Sequence, residues 1–409
     1  MILFLIFIIT YCLIYIRYQN AKRRGLIFFI TPELQLVILS SFYLIVPSLL
    51  FSQDIPKLID FPDEVVIKLK DFSIYYHLVF LLNFILNRRK YNIKLDFNIS
   101  FRENIKTYFS LLMLLLSIYI LFIILFKLRE FGLGFLSLDR VSKYIFYVQT
   151  KKVFGFVFIS WFIIIWSFVQ GIVYKKSWPL LFQSPLILLE LICSSRYYIF
   201  IFLISFLILY YRIKSKELNL KYVFFIFLIF ILFSFLRDSG GDITGTALQN
   251  MVASLGEFIN TYNSAGLVYH YGFLSKLSPL IYTFQFFIPQ PIYILFFGSY
   301  YNVNDFIGLM HDYEFGMGSS ILIEGKVFGL FFNLIYPVLI CLFYKILSQK
   351  LNKHNYILFY LFSISIFSVF RGAFLINLGP NILIFILIYF IPSIFLLEDD
   401  RAKIVEAGV

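Results

Sequence analysis

Charge is what this chain has least of. Asp, Glu, Lys and Arg together make up 14% of its 409 residues, against about 25% in an average soluble domain. So few solvated side chains exclude an ordinary water-soluble protein. Cysteine is scarce: Cys12, Cys193 and Cys341 stand apart in apolar runs, with no metal-ligand spacing, and are expected in the core. Histidine is scarce as well. His270 and His311 have no ligand partner at a recognisable spacing, so they are expected at the surface, and neither a metal nor another cofactor is expected. The 35 Lys and Arg exceed the 23 Asp and Glu by a net +12. They form no basic tract outside short interhelical segments, which excludes nucleic acid as a partner. Alternation of apolar and polar residues is also missing, which argues against a membrane barrel.

In place of these stand long unbroken apolar runs; 61% of the chain is hydrophobic. Lipid offers backbone groups no water, so such runs must span as helices. The expected fold is an all-α polytopic membrane protein, a single membrane-embedded domain over 1–409. About eleven spans are expected, at 2–16, 34–51, 72–86, 107–126, 153–174, 179–193, 197–211, 222–236, 321–347, 355–370 and 374–397. Arg17, Lys22, Arg23 and Arg24 follow the first apolar run instead of preceding it, which excludes a signal peptide and places the N-terminus outside. The inner segments of an N-out, C-in arrangement hold more Lys and Arg than the longer outer ones, as the positive-inside rule requires.

The polar interval from Arg237 to Ser320 interrupts this pattern and is expected to be a large outer, periplasmic loop, a subdomain over 237–320. Asp242 and Thr244 are N-cap types, and Leu248, Val252, Leu255, Ile259 and Tyr262 recur at helical spacing. On another face Asn250, Ser254, Glu257 and Thr261 make a polar stripe, which either faces water or lines a substrate path. The apolar stretch 277–297 is broken by Pro289-Gln290-Pro291, so a re-entrant or surface-lying hairpin is expected there. Gly316-Met317-Gly318-Ser319-Ser320 then leads into the ninth span, whose first turns carry Glu324 and Lys326. Glycine lets a ligand approach backbone, and ionisable groups at membrane depth are functional candidates. Arg140, Arg196, Arg237 and Arg371 all fall on the outer side of this arrangement, the last three at span ends. Guanidinium binds phosphate oxygens in pairs, so such a set suits a lipid-linked phosphate or diphosphate.

In its number of spans, its short outer turn with Arg196 and its large outer loop, the chain resembles the bacterial oligosaccharide repeat-unit polymerases, the Wzy-type O-antigen polymerases. The run Gly316-Met317-Gly318-Ser319-Ser320-Ile321-Leu322-Ile323-Glu324-Gly325-Lys326-Val327-Phe328-Gly329 is similar to that family's glycine, serine and glutamate run before a helix. Lys326-Val327-Phe328-Gly329 departs from the Tyr-x-Asn-Phe-Gly common there. The resemblance implies a glycosyltransferase in the bacterial inner membrane, with its site facing the periplasm. It would join undecaprenyl-diphosphate-linked oligosaccharides into an O-antigen or capsule and release polyprenyl diphosphate. Membrane lipid and a chain-length regulator protein are the further partners it implies. Arg196, Arg237, Arg371 and Arg140 would hold diphosphates, and Glu257, then Glu324, would serve as general base. Asp242, Gly316, Gly318 and Ser319 would line the substrate loop. A flippase for the same lipid-linked sugars is the main alternative, with Glu190 as its one midplane acid; a membrane acyltransferase lacks its histidine base, and an O-antigen ligase shares the architecture.

Overall fold

The computed structural model describes residues 2–23, 32–51, 61–87, 99–101, 106–132, 140–153, 155–193, 197–213, 256–271, 294–296, 298, 321–327, 329–350, 366, 370 and 396–398. In chain order its helices are α1 (Ile2–Arg23), α2 (Pro32–Ser40), α3 (Val46–Phe51), α4 (Asp63–Leu86), α5 (Lys106–Phe131) and α6 (Arg140–Lys152). They continue with α7 (Phe156–Tyr174), α8 (Ser184–Ile192), α9 (Tyr197–Ile213), α10 (Gly256–Tyr271), α11 (Ile321–Val327) and α12 (Leu330–Lys350). Strands β1 (Ile99–Phe101) and β2 (Leu396–Glu398) form one antiparallel pair, with Ile99 opposite Glu398 and Phe101 opposite Leu396. Three helical stretches are long and apolar enough to cross a membrane: Ile2–Asn20, Pro32–Leu50 and Thr107–Phe131. Shorter apolar helices cover Ile159–Gly171, Trp178–Ile192 and Leu330–Lys345. The protein is a helical membrane protein.

Several helix bounds differ from the sequence reading, each for a local reason. α4 starts at Asp63 instead of Phe72, because Pro62 sits just before it and Asp63 and Glu64 complement the positive helix start. A Glu64–Lys68 ion pair supports that first turn. The segment 127–152 between the expected fourth and fifth spans is largely helical where described: α5 runs on to Phe131, and α6 fills Arg140–Lys152. The ninth span breaks at Gly329, whose φ of 90° no L-residue adopts comfortably. α7 ends with Lys175 at φ 53° and Lys176 N–H donating to Gly171 C=O at 3.1 Å, a Schellman-type cap with lysine where glycine is usual. Leu396 and Leu397, expected to end the last span as helix, lie in β2. The rest of that span, and the eighth and tenth spans except residues 366 and 370, lie outside the described residues.

Contacts divide the chain into two compact units. The first joins Met1–Lys90 to Met251–Phe385. Here α2 and α3 are one continuous run through a π-helical turn at Ser41–Ile45. The Ser40 and Ser41 hydroxyls both donate to Val37 C=O, at 3.0 and 2.8 Å, and so compete for the helix's own acceptor. Such competition bends helices and widens a turn. Of the apolar window in this run 61% is buried, against 17% in α1, so α2–α3 is the inner helix and α1 faces lipid. His77 of α4 links three helices: its Nε2 lies 2.9 Å from Thr10 Oγ1 and its Nδ1 2.8 Å from Ser40 Oγ. A neutral imidazole donates once and accepts once. One of the two hydroxyls therefore gives its hydrogen to the ring and releases its own helix carbonyl, Ile6 or Val37.

The second unit joins Tyr91–Asn250 to Ile386–Val409. α5 packs on α6, α7 and α8, and α7 packs on α9. At Gly171 a Cβ would collide with Leu209, so glycine sets how closely α7 and α9 approach, the usual use of small residues between helices in lipid. Leu111, Leu114, Leu115, Ile118, Phe122 and Leu125 leave one side of α5 exposed and apolar, as a lipid-facing helix requires. Cys341 is buried, but Cys12 is exposed on α1; a thiol is small and apolar enough to face lipid as readily as core.

Candidate functional site

A group of polar residues in the first unit meets where α4, α10, α11 and α12 pack together. α12 contains Pro337, which cannot donate to the carbonyl four residues back, that of Asn333, and so opens the helix there. Two consecutive tyrosines of α4 dock at this opening. Tyr75 donates its O–H to Leu334 C=O at 2.5 Å, and Tyr76 donates to Asn333 Oδ1 at 2.6 Å. The Asn333 amide then donates to the Tyr269 hydroxyl of α10 at 2.8 Å. One asparagine thus joins α4, α10 and α12.

Glu324 lies beside this group on α11, fully buried, and accepts a hydrogen bond from the Tyr336 hydroxyl. Gly325 follows because a Cβ there would collide with both Tyr76 OH and Asn333 Oδ1. Lys326 turns outward, with its Nζ 5.3 Å from the centre of the Tyr269 ring. The Glu-Gly-Lys sequence is thereby explained residue by residue: acid inward, no side chain at the crossing, base outward over an aromatic face. Glu324 and Lys326 do not pair with each other. Burial pushes the Tyr269 phenol up, against a smaller opposing effect of its Asn333 hydrogen bond, so it remains a neutral hydroxyl near pH 7. The cluster can present a carboxylate, phenols and a cation within one apolar bundle.

α10 differs from the expected amphipathic helix. Phe258, Ile259, Thr261, Tyr262, Asn263, Ser264, Ala265, Leu267 and Val268 are all buried, so Thr261 of the polar stripe does not face water. Helix periodicity assigned two faces, but neighbours on several sides enclose both: α10 packs on α3, α4 and α11. Tyr262 meets Ser48 Oγ at 2.8 Å. His270 is exposed, as expected. The turn at residues 294–296, capped by Gly298 at φ 77°, exposes Leu295 and Phe296.

Of the predicted site residues, only Glu324 has its side chain among those described. Glu257 is the second residue of α10 and Arg140 the first of α6, and the structure describes their backbone alone. Arg196, Arg237, Arg371, Asp242, Gly316, Gly318 and Ser319 lie outside the described residues, as does His311. Tyr76, Asn333, Tyr269, Tyr336 and His77 escaped the sequence reading. An isolated His or Asn inside an apolar run, such as His77 in 72–86 or Asn333 in 330–345, was the signal available. Among the described residues no group of three or more His, Cys, Asp or Glu is placed to hold a metal.

No family model, no curated protein and no solved structure matches this chain.

Proposed function

We propose that this protein is a membrane glycosyltransferase that joins polyprenyl-diphosphate-linked oligosaccharide repeat units into a surface polysaccharide at the periplasmic face of the inner membrane. The observation that carries this reading is the buried carboxylate of Glu324, held by Tyr336 inside a lipid-facing helical bundle at the run that resembles the repeat-unit polymerases. Both substrates of such a reaction carry lipid tails, so their reacting sugars must meet at a membrane protein. The attacking sugar hydroxyl needs a carboxylate base, for which Glu257 and Glu324 are the candidates. Arg196, Arg237 and Arg371, with Arg140, hold the diphosphates, and Asp242, Gly316, Gly318 and Ser319 line the approach from the loop. The bond formed joins the acceptor hydroxyl to the donor's anomeric carbon, the proton goes to the base, and polyprenyl diphosphate leaves.

The β1–β2 pair supports an even number of crossings between residues 101 and 396, which either orientation of the chain satisfies. Its strands must share one side of the membrane, so an even number of crossings separates them. The fourth to eleventh spans satisfy that count, and a further crossing through 277–297 would not.

The test is a cell that makes the polysaccharide. Arg196→Ala or Arg237→Ala should abolish polymer and leave single repeat units capped on the lipid acceptor. A normal ladder of chain lengths in both variants would overturn the assignment.

A further inference from the structure

The second unit contains a buried acid whose hydrogen bonding is incomplete. Glu190 of α8 is fully buried. Its Oε1 accepts the Tyr147 O–H at 2.5 Å, and its Oε2 has no partner among the described residues. A buried acceptor without a donor is costly, and a carboxylate oxygen more so than a neutral one. Lys151, one turn beyond Tyr147 on α6, places its Nζ 4.1 Å from the centre of the Tyr147 ring and 5.1 Å from that of Tyr198 on α9. Glu190, Lys151 and Lys143 are all near enough to act electrostatically on Cys193, the residue that ends α8. By register, positions 143, 147 and 151 share one face of α6.

The chemistry of this cluster selects its ligand. The two lysines that act on Cys193 disfavour a cation here, and the carboxylate disfavours an anion. A neutral hydrogen-bond donor suits both, and the Tyr147 ring beside the carboxylate suits the C–H face of a sugar. We propose that Glu190 Oε2 accepts a hydroxyl of the saccharide part of a lipid-linked oligosaccharide, with Tyr147 fixing the carboxylate and Tyr198 and Lys151 beside the ring. This rests on the glycosyltransferase reading for the identity of the sugar, but not for the site itself. Glu190 is a binding residue in this account and takes no part in the proton transfer.

Cys193 provides the readout. With Cys12→Ser and Cys341→Ala it is the only thiol, and the full chain in nanodiscs is alkylated with N-ethylmaleimide. Lipid-linked repeat unit extracted from producing cells should slow the alkylation, and polyprenyl diphosphate without sugar should not. Glu190→Gln should raise the half-protecting concentration about tenfold or more, the scale of one hydrogen bond to a charged group. Tyr147→Phe should shift it in the same direction. In polymerisation by the same preparation, Glu190→Gln should raise KM for the repeat unit and leave kcat within about twofold. Equal protection by both lipids, no protection, or unchanged behaviour of both variants would overturn the site. Polymer formed with Glu190→Gln unchanged defeats the site and leaves the glycosyltransferase standing. Glu190-dependent protection without any polymer does the reverse.

Discussion

Glu324 in the first unit and Glu190 in the second are both fully buried acids on short helices, and both take a tyrosine hydroxyl. Their surroundings differ. Glu324 sits next to a connected group, in which Tyr76, Asn333 and Tyr269 pass hydrogen bonds between three helices and Gly325 is cut to fit. Glu190 has one oxygen bound and one without a partner among the described residues. A connected polar group raises stability and fixes geometry, whereas an orphaned acceptor lowers stability. The same residue type thus sits beside a connected polar group in one unit and carries an open oxygen in the other.

Substitutions that alter packing or hydrogen bonding should separate the two environments, and melting of the purified protein in detergent is the measurement. Gly325→Ala should do the most damage. Its methyl meets Tyr76 and Asn333, neither of which can withdraw without breaking their bond, so a loss of about 1–3 kcal/mol is expected. Glu324→Leu should cost about 1–3 kcal/mol, because the Tyr336 hydroxyl is left buried without its acceptor. Glu190→Leu should change stability by less than about 1 kcal/mol, since it also removes an unsatisfied oxygen. An equal or larger loss at Glu190 would break the comparison. Lys175→Gly should raise stability by about 0.5–1 kcal/mol by relieving the left-handed backbone at the end of α7.

The smallest effect is expected at the start of α4. Lys68 holds the exposed Glu64 carboxyl below its usual value through a hydrogen bond and charge attraction. A lowered folded value means the pair stabilises at neutral pH and ceases to do so as pH falls through it. Glu64→Gln should therefore melt almost as the parent does at every pH, because exposed pairs contribute little.

The membrane class and most helix positions were legible because lipid imposes one rule on every span: a continuous apolar run. α5 and α7 could be read in that way. α6 could not, since Arg140, Lys143, Lys151 and Lys152 give it the composition of a loop. The helical spacing of Val141, Tyr144, Ile145 and Val148 was the signal available, and the helix packs on α5 and α7. The polar core was hidden for a different reason. Tyr76 and Asn333 are 257 residues apart, and neither Tyr nor Asn is distinctive until the fold joins them. Glu324 was legible as an acid among Ile321, Leu322 and Ile323, where either a buried role or a pair with Lys326 could explain it. Glu190 was noticed as an acid in an apolar run, but its open oxygen belongs to the packing of α6 against its surroundings.

The most direct test of the central claim uses purified components: this protein alone in proteoliposomes, supplied with lipid-linked repeat units. The account predicts a ladder of polymers on the lipid with stoichiometric release of polyprenyl diphosphate. Transfer of intact lipid-linked units across the bilayer, with no lengthening of the glycan, would contradict it.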